Sequence, residues 1–82
     1  MTVNLTFFCP ELVGTLRDGA YEIPDGVTAR QAMLALEQSR DTRLNPDFFP
    51  WTFPIINGTV ADWETCLSPD DRMQIHYIVM GG

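Results

Sequence analysis

Few residues of this chain have both the type and the spacing that chemistry needs. There are two cysteines, Cys9 and Cys66, and one histidine, His76. Two thiols cannot hold an iron–sulfur cluster that takes four, and no Cys or His stands near His76 at zinc-ligand spacing, so no metal site is expected. Both cysteines read as reduced, small apolar side chains, and His76 as a surface residue of a strand. What remains is the end of the sequence, "YIVMGG", where an apolar alternation runs into Gly81 and Gly82. At a glycine usage of about 7%, such a pair arises by chance in roughly one chain in two hundred. A cloning scar is the other bland account, but the chain begins with Met1 and shows no tag.

A Gly-Gly end has no Cβ and reaches backbone angles closed to other residues, so it can thread a narrow channel. Residues 79–82, extended, reach roughly 13 Å, enough to carry a carboxylate from a domain body into another protein's active site. A free α-carboxylate has a pKa of about 3.5 and is a poor electrophile at neutral pH. Transfer of AMP from ATP would make it an acyl-adenylate, which a sulfur or nitrogen nucleophile can displace. With sulfur installed, the end becomes a thiocarboxylate, a soft nucleophile. On this reading the protein is a cosubstrate with no acid–base residues of its own, and Gly82 and Gly81 are its working residues.

Composition fits that economy. The 82 residues allow one small domain, residues 1–82, with a flexible tail at about 79–82. At 45% hydrophobic and 20% charged residues, the chain is expected to fold. A buried pocket of desolvated polar groups would be costly in so small a domain. The net charge of −6, with only five Lys and Arg, argues against nucleic acid. No basic leader precedes the first apolar run and no apolar stretch is long enough to span a bilayer, so a cytoplasmic protein without membrane contact is expected.

The elements that must position the tail can be read from periodicity. In "TVNLTF", Val3, Leu5 and Phe7 alternate with Thr2, Asn4, Thr6 and then Phe8, the pattern of a half-buried strand. Residues 20–23 return as a second strand after the turn "PELVGTLRDG". Thr28 with Gln31 three residues on has capping-box spacing, and Ala29, Ala32, Met33 and Leu36 form one helical stripe that fades near Ser39 or Arg40. "RDTRLNPDFFPWTFP", residues 40–54, carries three prolines and no clean period, and reads as a long ordered loop. Its Phe48, Phe49 and Trp51 are expected to close the end of the core rather than to bind. "PIING" makes a short strand with a strong Asn57-Gly58 turn signal, followed by a turn segment. After the turn "SPDD", Met73, Ile75, Tyr77 and Val79 alternate with Gln74, His76, Ile78 and Met80 in the last strand.

That order predicts an α+β roll, a mixed sheet with one main helix packed across it. With the first and last strands parallel and adjacent, Phe8, Ile78 and Met80 fall on the face away from the helix. They are either a partner-docking cluster beside the tail or three scattered surface hydrophobes.

"FFCPELVG", "PDGVTARQAMLAL", "IING", "LSPDDRMQI" and the final "MGG" together resemble the small subunit of molybdopterin synthase and, more broadly, the ubiquitin-like sulfur carriers of the MoaD/ThiS type. The likeness covers most of the chain except residues 40–54, and it is the order of the motifs with the diglycine that makes it specific. It implies a β-grasp (ubiquitin-like) fold, adenylation by an E1-like adenylyltransferase using ATP and Mg²⁺, and a thiocarboxylate on Gly82. Neither cofactor would be bound by this chain itself. A sulfur donor and the large synthase subunit are the further partners implied. Chain length leans toward the molybdopterin or tungstopterin branch. A carrier for thiamine or another sulfur-containing metabolite, or a modifier conjugated through Gly82, would use the same adenylate.

Overall fold

The computed structural model describes residues 1–79; Met80, Gly81 and Gly82 lie outside the described residues. Five strands form one sheet: β1 (Thr2–Phe7), β2 (Gly19–Glu22), β3 (Thr52–Ile56), β4 (Thr59–Val60) and β5 (Arg72–Tyr77), in the order β2-β1-β5-β3-β4. β1 and β5 pair in parallel and the other neighbours pair antiparallel. The main helix, α1 (Ala29–Ser39), connects the β1–β2 hairpin to the second half of the sheet. The mixed sheet with one main helix packed across it is the architecture expected from the element order, and the parallel central pair is the one that expectation assumed.

The local reasons are visible in each element. Thr28 Oγ1 accepts the Gln31 N–H and Gln31 Oε1 accepts the Thr28 N–H, so both halves of the capping box form. Ala29, Ala32, Met33 and Leu36 are all buried, and they join Val3, Leu5, Phe7, Met73 and Ile75 in one apolar cluster between helix and sheet. Asn57 and Gly58 both have positive φ, 51° and 82°, which makes the two-residue turn between β3 and β4 the primed type that matches strand twist.

The loop expected over residues 40–54 is not all loop. Phe48–Trp51 forms a short helix, α2, and β3 begins at Thr52. Asn45 Oδ1 accepts the Asp47 N–H at 2.8 Å, and the Asn45 carbonyl accepts the Phe48 N–H at 2.9 Å, which starts the turn. Pro50 is tolerated because the first-turn N–H groups of a helix have no internal acceptor. The turn segment after Asn57-Gly58 likewise contributes a strand, β4, of only two residues.

Candidate functional site

The sheet's central strand delivers the chain to its end. β5 lies between β1 and β3, and its last paired residue, Tyr77, stands opposite Thr52. One more backbone bond follows, from the Ile78 N–H to the Trp51 carbonyl at 2.9 Å. Val79 is then 88% exposed. Among the described residues the chain thus makes its exit from the sheet between Ile78 and Val79, at a point fixed by strand pairing on one side and by the end of α2 on the other.

Around this exit the surface is apolar. Phe48 is fully buried, and Phe49 packs against the core with its ring edge toward Trp63, 5.0 Å between centroids. The Arg30 guanidinium sits 4.6 Å over the Phe49 ring, and Trp63 Nε1 donates to the Thr52 carbonyl at 3.0 Å. These two aromatics close the core as expected. Trp51 does not: it is 54% exposed and, with Pro50, Tyr77 and Ile78, walls an open groove of about 350 Å³.

Phe8 occupies the same end of the sheet, because β1 runs parallel to β5 and the Phe8 N–H bonds the Ile75 carbonyl at 2.9 Å. It is 50% exposed, and its ring stacks on that of His76 at 4.2 Å with the planes 14° apart. On the other side, Phe53 of β3 meets His76 at 5.9 Å and 26°. Three rings from three neighbouring strands therefore share one rung of the face opposite α1. Ile78, 42% exposed, belongs to the Trp51 groove. Met80 and the two glycines fall outside the described residues.

Sequence reasoning treated His76 as an isolated surface residue and missed Phe53. The signal was present: once β1 and β5 are parallel neighbours, outward parity puts Phe8 beside His76, and antiparallel pairing of β3 puts Phe53 across from it. The groove was harder to see, since Trp51 faces outward only because α2 turns Phe48 inward.

Among the described residues no group of three or more His, Cys, Asp or Glu could hold a metal ion, and no helix is long and apolar enough to cross a membrane. Cys9 is buried and Cys66 exposed, both as free thiols. Burial, with a smaller contribution from the Glu11 carboxylate, pushes the Cys9 thiol up to about 11, so it stays protonated at neutral pH.

A mixed sheet of this order, grasping one helix, is the β-grasp, ubiquitin-like fold. The crystal structure of SAMP1 from Haloferax volcanii aligns with a TM-score of 0.65 over 100% of both chains at 20% identity. That of H. volcanii small archaeal modifier protein 1 aligns with a TM-score of 0.64 over 95% of this chain and 98% of that one, at 18% identity. No family model matches the chain, and no curated protein does.

Proposed function

We propose that this chain is a ubiquitin-like sulfur carrier whose working group is the carboxylate of Gly82. An E1-like adenylyltransferase takes the tail, the carboxylate oxygen attacks the α-phosphorus of ATP, and pyrophosphate leaves. A sulfur donor then displaces AMP, leaving a thiocarboxylate that supplies sulfur to an acceptor, in the first instance in molybdopterin or tungstopterin synthesis with a large synthase subunit. Gly81 keeps the tail thin enough to enter the channel. Phe8, Ile78 and Met80 are the candidate docking residues, and the surface around Phe8 and Ile78 is apolar and exposed.

The observation that carries this reading is the exit from the sheet at Ile78. Among the described residues the middle strand makes its last backbone bond there, to Trp51, Val79 after it is exposed, and the sequence continues to two glycines. The likeness of fold to the two crystal structures of SAMP1, the small archaeal modifier protein 1, adds support.

A second reading is favoured by one observation: one of the two similar crystal structures bears the name modifier. A modifier would pass the same acyl-adenylate to a lysine amine, giving an amide at Gly82. Intact-mass analysis after incubation with an E1-like enzyme, ATP, Mg²⁺ and a sulfur donor separates the two. Exchange of one oxygen for sulfur supports the carrier, and higher-mass conjugates support the modifier. Deletion of Gly82 without loss of either product would refute both.

A further inference from the structure

Pro50 and Trp51 belong to residues 40–54, the segment that the sulfur-carrier resemblance leaves uncovered, and with Tyr77 and Ile78 of the last strand and its exit they wall a groove. We propose that it is a specificity site, and that Trp51 receives an apolar side chain from the rim of the adenylating enzyme's tail channel. The inference rests on Gly82 being the end that is activated.

Reach identifies the occupant. With Gly82 as the activated end, the three residues from Met80 to Gly82 span at most about 10 Å when extended. An enzyme that draws the carboxylate into its active site must bring its channel rim against the surface at the root of the tail. That surface is this groove, since Ile78 both lines it and makes the last backbone bond among the described residues.

Chemistry narrows the occupant further. None of the four lining residues is charged, although the chain carries sixteen charged side chains, eleven acidic and five basic. An apolar group fits such a wall and a salt-bridging one does not. About 350 Å³ accommodates one or two side chains.

Trp51 is also held in place for this role. Its N–H donates to the Asp47 carbonyl at 3.1 Å and its carbonyl accepts from Ile78 at 2.9 Å, while Phe48 anchors the same short helix in the core. A large aromatic on a fixed backbone loses little freedom on binding, which is the property of an interface hot spot.

The test is ATP–pyrophosphate exchange by the E1-like enzyme of the same organism, with this protein as the varied substrate. Trp51→Ala is expected to raise KM about 10-fold or more with kcat within about 2-fold, as truncation of a hot spot does. Trp51→Phe should recover most of the loss. Should Trp51→Ala melt early, Trp51→Gln keeps the length without the aromatic surface and carries the same comparison. An unchanged KM for the folded Trp51 variant, with the parent protein charged normally, overturns the groove assignment and leaves the proposed function standing. If the parent is not charged, or if deletion of Gly82 is charged equally well, the functional reading itself fails and the groove assignment falls with it. Sedimentation of the protein alone excludes the other occupant: a dimer dissociated by Trp51→Ala would place a second copy in the groove and overturn the proposal.

Discussion

Phe8 and His76, from neighbouring parallel strands, stack face to face at 4.2 Å on the side of the sheet away from α1. An aromatic contact at this position ties the end of β1 to the end of β5, the strand that carries the tail. Such pairs contribute roughly 0.5–1.5 kcal/mol beyond the area they bury. A double-mutant cycle of Phe8→Ala and His76→Ala, read by urea unfolding, should give a coupling of about 0.5–1 kcal/mol. Simple additivity would reduce the stack to coincidental proximity.

Cys9 makes a prediction about alkaline stability. Its thiol is raised from about 9 when unfolded to about 11 in the fold, chiefly by burial. The folded chain therefore holds a proton between these values that the unfolded chain has released. Stability from this group is complete below pH of about 9 and is lost as pH rises toward 11, by on the order of 2 kcal/mol. Cys9→Ala should flatten that segment of the stability–pH curve measured by denaturant titration. At pH 7 to 8, iodoacetamide should label the exposed Cys66 and spare Cys9 until the chain is unfolded.

Gly14 locks the β1–β2 connection against the segment after α1. Its φ is 61°, and a Cβ built there would run into the Thr42 hydroxyl and lie 2.8 Å from the Arg43 carbonyl. The neighbouring Thr15 N–H also donates to Thr42 Oγ1 at 2.9 Å, so the two segments have no room to separate without losing that bond. Gly14→Ala should lower stability by roughly 2–4 kcal/mol, the sum of a left-handed backbone and a steric clash. Gly26→Ala, at φ 73° with nothing within 4 Å of the added methyl, isolates the backbone cost alone and should lose only about 1 kcal/mol. Equal melting of the two variants would remove the packing argument.

What could be read in the sequence was whatever depended on local periodicity. The stripe of α1, its capping box, the inward parity of β1 and β5 and the Asn57-Gly58 turn are each set by residues within one element. What escaped was decided by distant partners. Three prolines and the lack of a clean period made residues 40–54 look like a loop, yet Thr52, Phe53 and Pro54 already lie within β3. The Pro54 carbonyl accepts the Ala61 N–H on the side away from β5, so the missing N–H also points to that short-paired edge and the β5 ladder is intact. β4, at two residues, is too short for any period to show. Trp51 differs from Phe48 only in which way a four-residue helix turns it, and that is set by Asn45 and by the pairing of Ile78. The chemistry of the proposed site, by contrast, was carried by residue type alone in Gly81 and Gly82.

Ile78 and Gly81 separate docking from threading. Ile78 contributes its backbone N–H to Trp51 and leaves its side chain 42% exposed, so Ile78→Asp keeps the last pairing bond and places a carboxylate beside the apolar groove. Cooperative melting should persist with a loss below about 1 kcal/mol, as for surface changes generally. Charging by the E1-like enzyme should show a raised KM, because the new carboxylate must be desolvated against apolar surface. Loss of cooperative melting would instead assign the Ile78 side chain to the core. Gly81→Val acts differently. It adds a β-branched side chain one residue from the proposed reacting carboxylate, and on the tail reading the melting curve should superimpose on the parent's. The penalty should fall on kcat, since a branched residue cannot place the carboxylate in line with ATP inside a channel shaped for bare backbone. Normal kcat for the valine variant, together with an intact fold, would mean that the enzyme does not enclose the tail, and the diglycine would lose its physical rationale.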